Sequence, residues 1–301
     1  MYNPVVSIVM TTYNAEKYLH KQLDSIVNQT YKNIQLFILD DGSSDSTIKI
    51  IKNYQNKYKF ITLVVNNNRL GVIKNFEKGI SLTSSELIAL CDHDDIWMPF
   101  KIELQVDSIK RYEQTPALVH SDLEIIDAQG MTLYKSFFNF KGYSFPSQKA
   151  LDILISRSGI MGNTIMFNRA LKDLILPFPD NIPMHDYYIG VINEIYGTRI
   201  TINKPLVKYR IHNQNIGNKK RNIIDKIKGF FSHKLPYLDR KDFLMYLLKK
   251  DLTIKDKVII KDFLNCIKYK KSIVFFKCLN KNYFKNKKLY KVRLFLRYII
   301  E

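Results

Sequence analysis

Three times in its first hundred residues the chain runs through one cycle, a short apolar run, a polar cluster, then an amphipathic stretch, and a fourth apolar run with its polar cluster follows. The apolar runs are Val5–Met10, Ile34–Leu39, Phe60–Val65 and Leu87–Cys91. Runs this short and this rich in β-branched residues predict strands buried on both faces. Between them, Glu16–Asn28 sets Leu19, Leu23, Ile26 and Val27 at helical spacing. Beyond Ser44 and Asp45, either of which would serve as an N-cap, Ile48, Ile51 and Tyr54 share a face. A third amphipathic stretch turns Phe76 and Ile80 inward before the fourth strand. This β-α-β-α-β-α-β order predicts an α/β fold: a mostly parallel, doubly wound sheet flanked by helices.

The polar clusters all follow strands, so they collect at one sheet edge, where open α/β sheets bind their ligands. They read Thr11-Thr12-Tyr13-Asn14, then Asp40-Asp41-Gly42-Ser43-Ser44-Asp45, then Asn66–Gly71, then Asp92-His93-Asp94-Asp95-Ile96-Trp97. The last is the most informative. Closely spaced carboxylates at a strand end offer hard oxygen ligands, and Mg²⁺ or Mn²⁺ held there would keep coordination positions for phosphate oxygens. An isolated D-x-D is as readily an acidic surface turn. Here it has partners at the same edge.

These motifs, with His120-Ser121-Asp122-Leu123, Gly162-Asn163-Thr164, His185-Asp186 and Tyr209-Arg210-Ile211-His212, resemble family 2 glycosyltransferases of the GT-A (Rossmann-like) fold. Within that family they look most like rhamnosyl- and related transferases of bacterial surface-polysaccharide synthesis. The resemblance spans roughly residues 4–215 and implies roles residue by residue. Thr11, Tyr13 and Asp41 would hold the nucleotide base and ribose, with Arg69 near the base or diphosphate. Asp92 would contact ribose or donor sugar. Asp94 would ligate the metal, Mn²⁺ or Mg²⁺, joined by His212. Asp95, Trp97, Asn163 and His185 would line the sugar and acceptor side, and Asp186 would be the general base of an inverting transfer. The implied donor is a UDP- or dTDP-sugar (rhamnose, glucose, galactose or an N-acetylated hexose). A non-catalytic nucleotide-sugar-binding protein on the same fold is the alternative. Asp92, Asp94 and Asp186 together weigh against it, because binding alone needs no base.

Charge divides the chain unevenly. Residues 219–301 hold 24 Lys+Arg against 7 Asp+Glu, leaving 23 against 21 for residues 1–218, out of a total of +19. We therefore expect a transferase domain over 1–217 and a basic helical C-terminal module over 218–301. In the latter, Ile223, Ile224, Ile227 and Phe231 share a face, as do Phe243, Leu247 and Leu248, and Ile259, Ile260, Phe263 and Leu264. Such a module suits an anionic membrane surface, and so a lipid-linked saccharide acceptor, or pairing of two subunits. No zinc spacing or RNA-binding aromatic motif supports nucleic acid as partner. No run nears 18 apolar residues, which argues against a membrane span. The three cysteines make no disulfide framework, and the first residues lack the basic start of a signal peptide. The expected location is cytoplasmic, peripheral on the inner membrane face.

Overall fold

The computed structural model describes residues 2–157, 159–212 and 238–268. Four of its strands are those expected: β1 (Val6–Thr12), β2 (Ile34–Asp40), β3 (Ile61–Val65) and β4 (Leu87–Cys91). All pair in parallel, in the order β3-β2-β1-β4. Every residue of β1 is buried. Ile8 and Met10 join one apolar cluster and Val9 the other, so side-chain alternation builds a core on each face of the sheet. Each such aliphatic side chain contributes about 1.5–3 kcal/mol when fully buried.

Helices α1 (Leu19–Val27), α2 (Thr47–Lys57) and α3 (Val72–Leu82) connect these strands. The second departs from expectation. Its buried stripe is Thr47, Ile50 and Ile51, leaving Ile48 and Tyr54 half-buried. Its N-cap position is Ser46, although the Asp45 carboxylate still accepts the Thr47 N–H at 2.9 Å. Gly79 lets α3 lie close on the sheet, since a Cβ there would collide with Val9 Cγ1.

Beyond β4 the sheet becomes mixed. It continues β4-β8-β6-β9-β5 with β5 (Ile96–Trp97), β6 (Ala117–Ile126), β8 (Met166–Asn168) and β9 (Thr198–Arg210), while β7 (Thr132–Tyr134) pairs with β6. β6 and β9 are parallel; the β4–β8, β8–β6 and β9–β5 pairs are antiparallel. Register shifts flank Asp122, opposite Pro205. Proline has no N–H for the ladder and is confined to irregular or edge positions of sheets. Past this irregularity β9 runs to Arg210 beside β5, at the end of the acidic loop 92–95.

Helices α4 (Lys101–Ile109), α5 (Phe137–Lys141), α6 (Leu151–Arg157), α7 (Arg169–Ile175) and α8 (His185–Tyr196) complete residues 1–212. Two further helices, α9 (Leu238–Leu247) and α10 (Ile254–Lys268), pack on that same body. The Phe243 ring meets Tyr187 and Tyr188 of α8 edge-on at 5.9 and 5.6 Å. Arg240 Nη1 donates to the Ile155 carbonyl at 2.7 Å. Phe243, Leu247, Ile260 and Phe263 thus share a core with the sheet. The face expected around Ile223–Phe231 and the part of the basic module beyond residue 268 lie outside the described residues. Among the described residues no helix is long and apolar enough to cross a membrane.

Candidate active site

The ends of β1 to β4 lie side by side, with Thr12 opposite Asp40, Asp40 opposite Val65, and Met10 opposite Cys91. Asp40 is the structural carboxylate of the second turn. It accepts Thr12 Oγ1 at 2.8 Å, Ser43 N at 2.8 Å and Ser43 Oγ at 2.6 Å. That leaves Asp41 to face the neighbouring loop, where it accepts the Leu70 and Gly71 N–H groups at 2.7 and 2.8 Å. Gly71 has φ +78°, a conformation that favours glycine. Tyr13 is exposed, and the Arg69 guanidinium lies 3.7 Å over its ring. The four residues expected around a base, Thr11, Tyr13, Asp41 and Arg69, thus come from one corner of the sheet edge. The backbone joins this corner to the acidic loop: His93 Nδ1 donates to the Thr11 carbonyl at 3.1 Å.

In the acidic loop the four residues point different ways. Asp94 Oδ2 and His212 Nε2 meet at 2.8 Å across 118 residues of sequence, with the His212 ring against Tyr18. Burial raises the Asp94 pKa, but the His212 hydrogen bond and the charges of His93 and His212 outweigh it and leave Asp94 below the usual carboxylate range. Asp92 is half-buried and pushed up to about 8, first by burial and then by the charges of Asp94 and Asp186. Asp92 thus lies near enough to Asp94 and Asp186 to feel both charges. The phenol of Tyr209 is raised by burial and then by the charges of Asp95, Asp92, Asp94 and Asp186.

Asp95 turns into the protein. It is fully buried, accepting the Arg210 N–H at 3.0 Å and the Asn163 side-chain amide, and burial raises its pKa strongly. Trp97 is 2 % exposed, with Lys101 Nζ 3.7 Å over its face. Asn163 is also buried, held by Asp95. His185 stacks on Phe76 of α3 at 4.1 Å, and burial lowers its pKa. The structure thus places these four, expected to line the sugar and acceptor side, as the packed wall behind the site. Ser121 and Asp122 also point elsewhere: Asp122 accepts the Phe138 N–H at 3.0 Å and so anchors α5.

Asp186 stands in the first turn of α8, half-buried. Its Oδ1 accepts the Tyr187 N–H at 2.7 Å and its Oδ2 the Gly162 N–H at 3.1 Å. The carboxylate is oriented by two amides and retains lone pairs for a third donor. Three participants were missed in the sequence. Tyr209 and Arg210 were visible only as neighbours of His212. The Gly162 amide carries no side-chain signal at all. Arg210 is fully buried, with Nε donating to the Asp94 carbonyl at 2.9 Å and Nη1 to those of Asp127 and Ala128 at 3.2 and 3.3 Å.

The Asp94–His212 pair, a carboxylate oxygen and an imidazole nitrogen, could hold a divalent cation. The negative charges of Asp94 and Asp186, which add to burial in raising Asp92, fit one. Among the described residues no three His, Cys, Asp or Glu side chains converge as a cage. A cation here would complete its shell with phosphate oxygens and water.

A polar corner at Thr11, Tyr13, Asp41 and Arg69, the acidic loop 92–95 and the oriented carboxylate of Asp186 on an α/β sheet agree with a sugar-transfer enzyme of the GT-A fold. Comparison with known proteins agrees. The model of glycosyl transferase family 2 matches residues 7–175, and the chain belongs to that family: it is a glycosyltransferase. An uncharacterized glycosyltransferase of Rickettsia typhi is 28% identical over 252 residues, covering 81% of this chain and 76% of that protein. Among solved structures, S. aureus TarS 1-349 in complex with UDP-GlcNAc superposes with a TM-score of 0.63 at 16% identity, over 97% of this chain and 79% of that one. The mannosyltransferase PcManGT of Pyrobaculum calidifontis, in complex with GDP-Man and Mn²⁺, gives 0.54 at 16% identity over 99% and 88%. These structural likenesses speak for the fold.

Proposed function

We propose that the chain moves a sugar from a UDP- or dTDP-linked donor to a saccharide hydroxyl, with inversion and with Mn²⁺ or Mg²⁺ bound. Rhamnose, glucose, galactose and N-acetylated hexoses are the donor sugars considered. The observation that carries this reading is the Asp186 carboxylate, oriented by two backbone amides and separate from the Asp94–His212 pair. Tyr13, Arg69, Thr11 and Asp41 would bind the nucleoside, and Asp92 the ribose or sugar. Asp186 takes the proton of the acceptor hydroxyl. The acceptor oxygen bonds to the anomeric carbon from the face opposite the diphosphate. The bond from that carbon to the diphosphate oxygen breaks, and the nucleoside diphosphate leaves with the electron pair. Asp94 and His212 would hold the cation, which when bound stabilises charge on the departing diphosphate. The buried wall of Asp95, Asn163, Trp97 and His185 keeps these groups in register.

Asp186→Asn tests the reading. Transfer should fall by about 10²–10⁴-fold, the usual contribution of a general base, while donor Kd stays within about twofold. Turnover close to wild type would dismiss Asp186 as the base.

The charge surplus after residue 218 supports a peripheral place on an anionic membrane face, with a lipid-linked acceptor of bacterial capsule, O-antigen or cell-wall synthesis. Flotation with anionic and neutral liposomes checks this. Equal or absent binding to both would remove the membrane from the proposal and leave subunit pairing as the use of the basic helices.

A further inference from the structure

We infer that the base corner is built to receive a single N–H donor, so that it takes uracil or thymine and rejects guanine, and that Asn66 and Lys78 set this choice through Asp41. The inference rests on the reading of Asp41 as the base-binding carboxylate.

Asp41 is 5 % exposed, and its acceptor positions can be counted. Oδ1 accepts the Leu70 N–H at 2.7 Å and Asn66 Nδ2 at 3.0 Å, which uses both of its lone pairs. Oδ2 accepts only the Gly71 N–H, at 2.8 Å, and keeps one position. The polarity of this arrangement is fixed from both ends. Lys78 Nζ, a pure donor, lies 2.8 Å from Asn66 Oδ1, so the amide nitrogen of Asn66 must face Asp41. Its second N–H goes to Asn75 Oδ1 at 2.8 Å, and Asn75 Nδ2 donates to the Leu39 carbonyl, a pure acceptor, at 3.0 Å. Flipping either amide would set donor against donor or acceptor against acceptor.

A uracil or thymine ring presents one N–H, at N3, and Oδ2 can take it. Guanine presents N1–H and the N2 amino group side by side and needs both carboxylate oxygens. With Oδ1 filled, one of its donors would be desolvated without an acceptor. Cytosine turns a lone pair at N3 toward the carboxylate and is repelled. Lys78 and Asn66 are thus positioning residues: they act through Asp41 on which base it accepts.

Calorimetric titration of UDP, dTDP, GDP and CDP into the full chain with saturating Mn²⁺ tests this, for wild type, Asn66→Ala and Lys78→Met. In wild type, UDP and dTDP should bind within a few-fold of each other, and GDP and CDP at least about tenfold more weakly. Asn66→Ala opens a position on Oδ1, so the preference for UDP over GDP should shrink by about tenfold. Lys78→Met removes the donor that holds Asn66 Oδ1, which loosens the Asn66 bond to Asp41 Oδ1, and should shrink the preference in the same direction but by less. A merely structural role would weaken all four nucleotides together, and an unchanged ratio in the folded variants overturns the inference. So does wild-type binding of GDP as tight as UDP, which settles the matter even should Asn66→Ala fail to fold. Binding of no nucleotide at all removes the nucleotide-sugar reading itself, whereas the wrong base order removes only this inference.

Discussion

Arg210→Met is the sharpest test of how the site is held. Methionine keeps much of the side-chain volume, so packing near the Tyr18 ring, 4.8 Å from the guanidinium carbon, is largely preserved. The Nε bond to the Asp94 carbonyl at 2.9 Å is lost, as are the two longer Nη1 bonds to the turn at Asp127 and Ala128. A charged hydrogen bond to a buried carbonyl contributes about 1.5–3 kcal/mol. The other two are long and reach a turn that water can approach, so about 0.5 kcal/mol each is reasonable. The sum is about 3 kcal/mol. At about 2–3 °C per kcal/mol for a chain of this size, the melting temperature should drop by roughly 6–9 °C. Because the bond is to the backbone of Asp94 itself, kcat should fall together with stability at a temperature where the variant is still folded. Thermal unfolding and steady-state transfer at 20 °C measure the two effects. Unchanged melting and turnover would refute the anchoring argument. A lower melting point with intact turnover would reduce Arg210 to a staple of the fold with no part in placing Asp94.

Two further outcomes are expected. His212→Ala should raise the Mn²⁺ concentration needed for half-maximal donor binding at least about tenfold, since even partners behind a metal ligand are worth about 10–100-fold; an unchanged requirement would exclude His212 as a ligand. Lys101 is fully buried, and burial pulls its ammonium down to about 7. Its folded pKa lies below its unfolded one, so the unfolded chain binds more protons between about 7 and 10.5 and this group's contribution to stability rises with pH across that window. Lys101→Met should remove that rise, so its stability advantage, largest at pH 7, should shrink toward pH 10 in urea titrations; a pH-independent difference would contradict a neutral Lys101.

Much of the fold was legible because local pattern and tertiary outcome agree. The four parallel strands follow from apolar runs, and their polar ends had to meet at one edge. The pairing of Asp94 with His212 was readable only through the family resemblance, since 118 residues separate them. What local pattern could not supply was direction within the acidic loop. Asp92, Asp94, Asp95 and Trp97 lie in or beside an irregular turn with no periodicity to say which face each takes. The antiparallel pairing of Ile96 and Trp97 with Lys208 and Val207 decides it, turning Asp95 and Trp97 into the protein. The stripe of α2 was misjudged for a milder reason: Thr47 is buried because its hydroxyl accepts the Ala15 N–H at 2.7 Å, a polar contact that hydrophobic periodicity cannot see. Packing of α9 and α10 on α8 was likewise hidden behind a change in charge density.

The short turn Gly162–Thr164 touches three places at once. The Gly162 amide reaches Asp186, Asn163 reaches Asp95, and the Thr164 carbonyl accepts Gln105 of α4 at 2.8 Å. Asp186 and the buried wall at Asp95 are therefore tied to one turn. An edit to this turn would shift Asp186 and Asp95 together, and changes at those two residues should combine non-additively. Altered acceptor preference is better sought in exposed loops than in this turn.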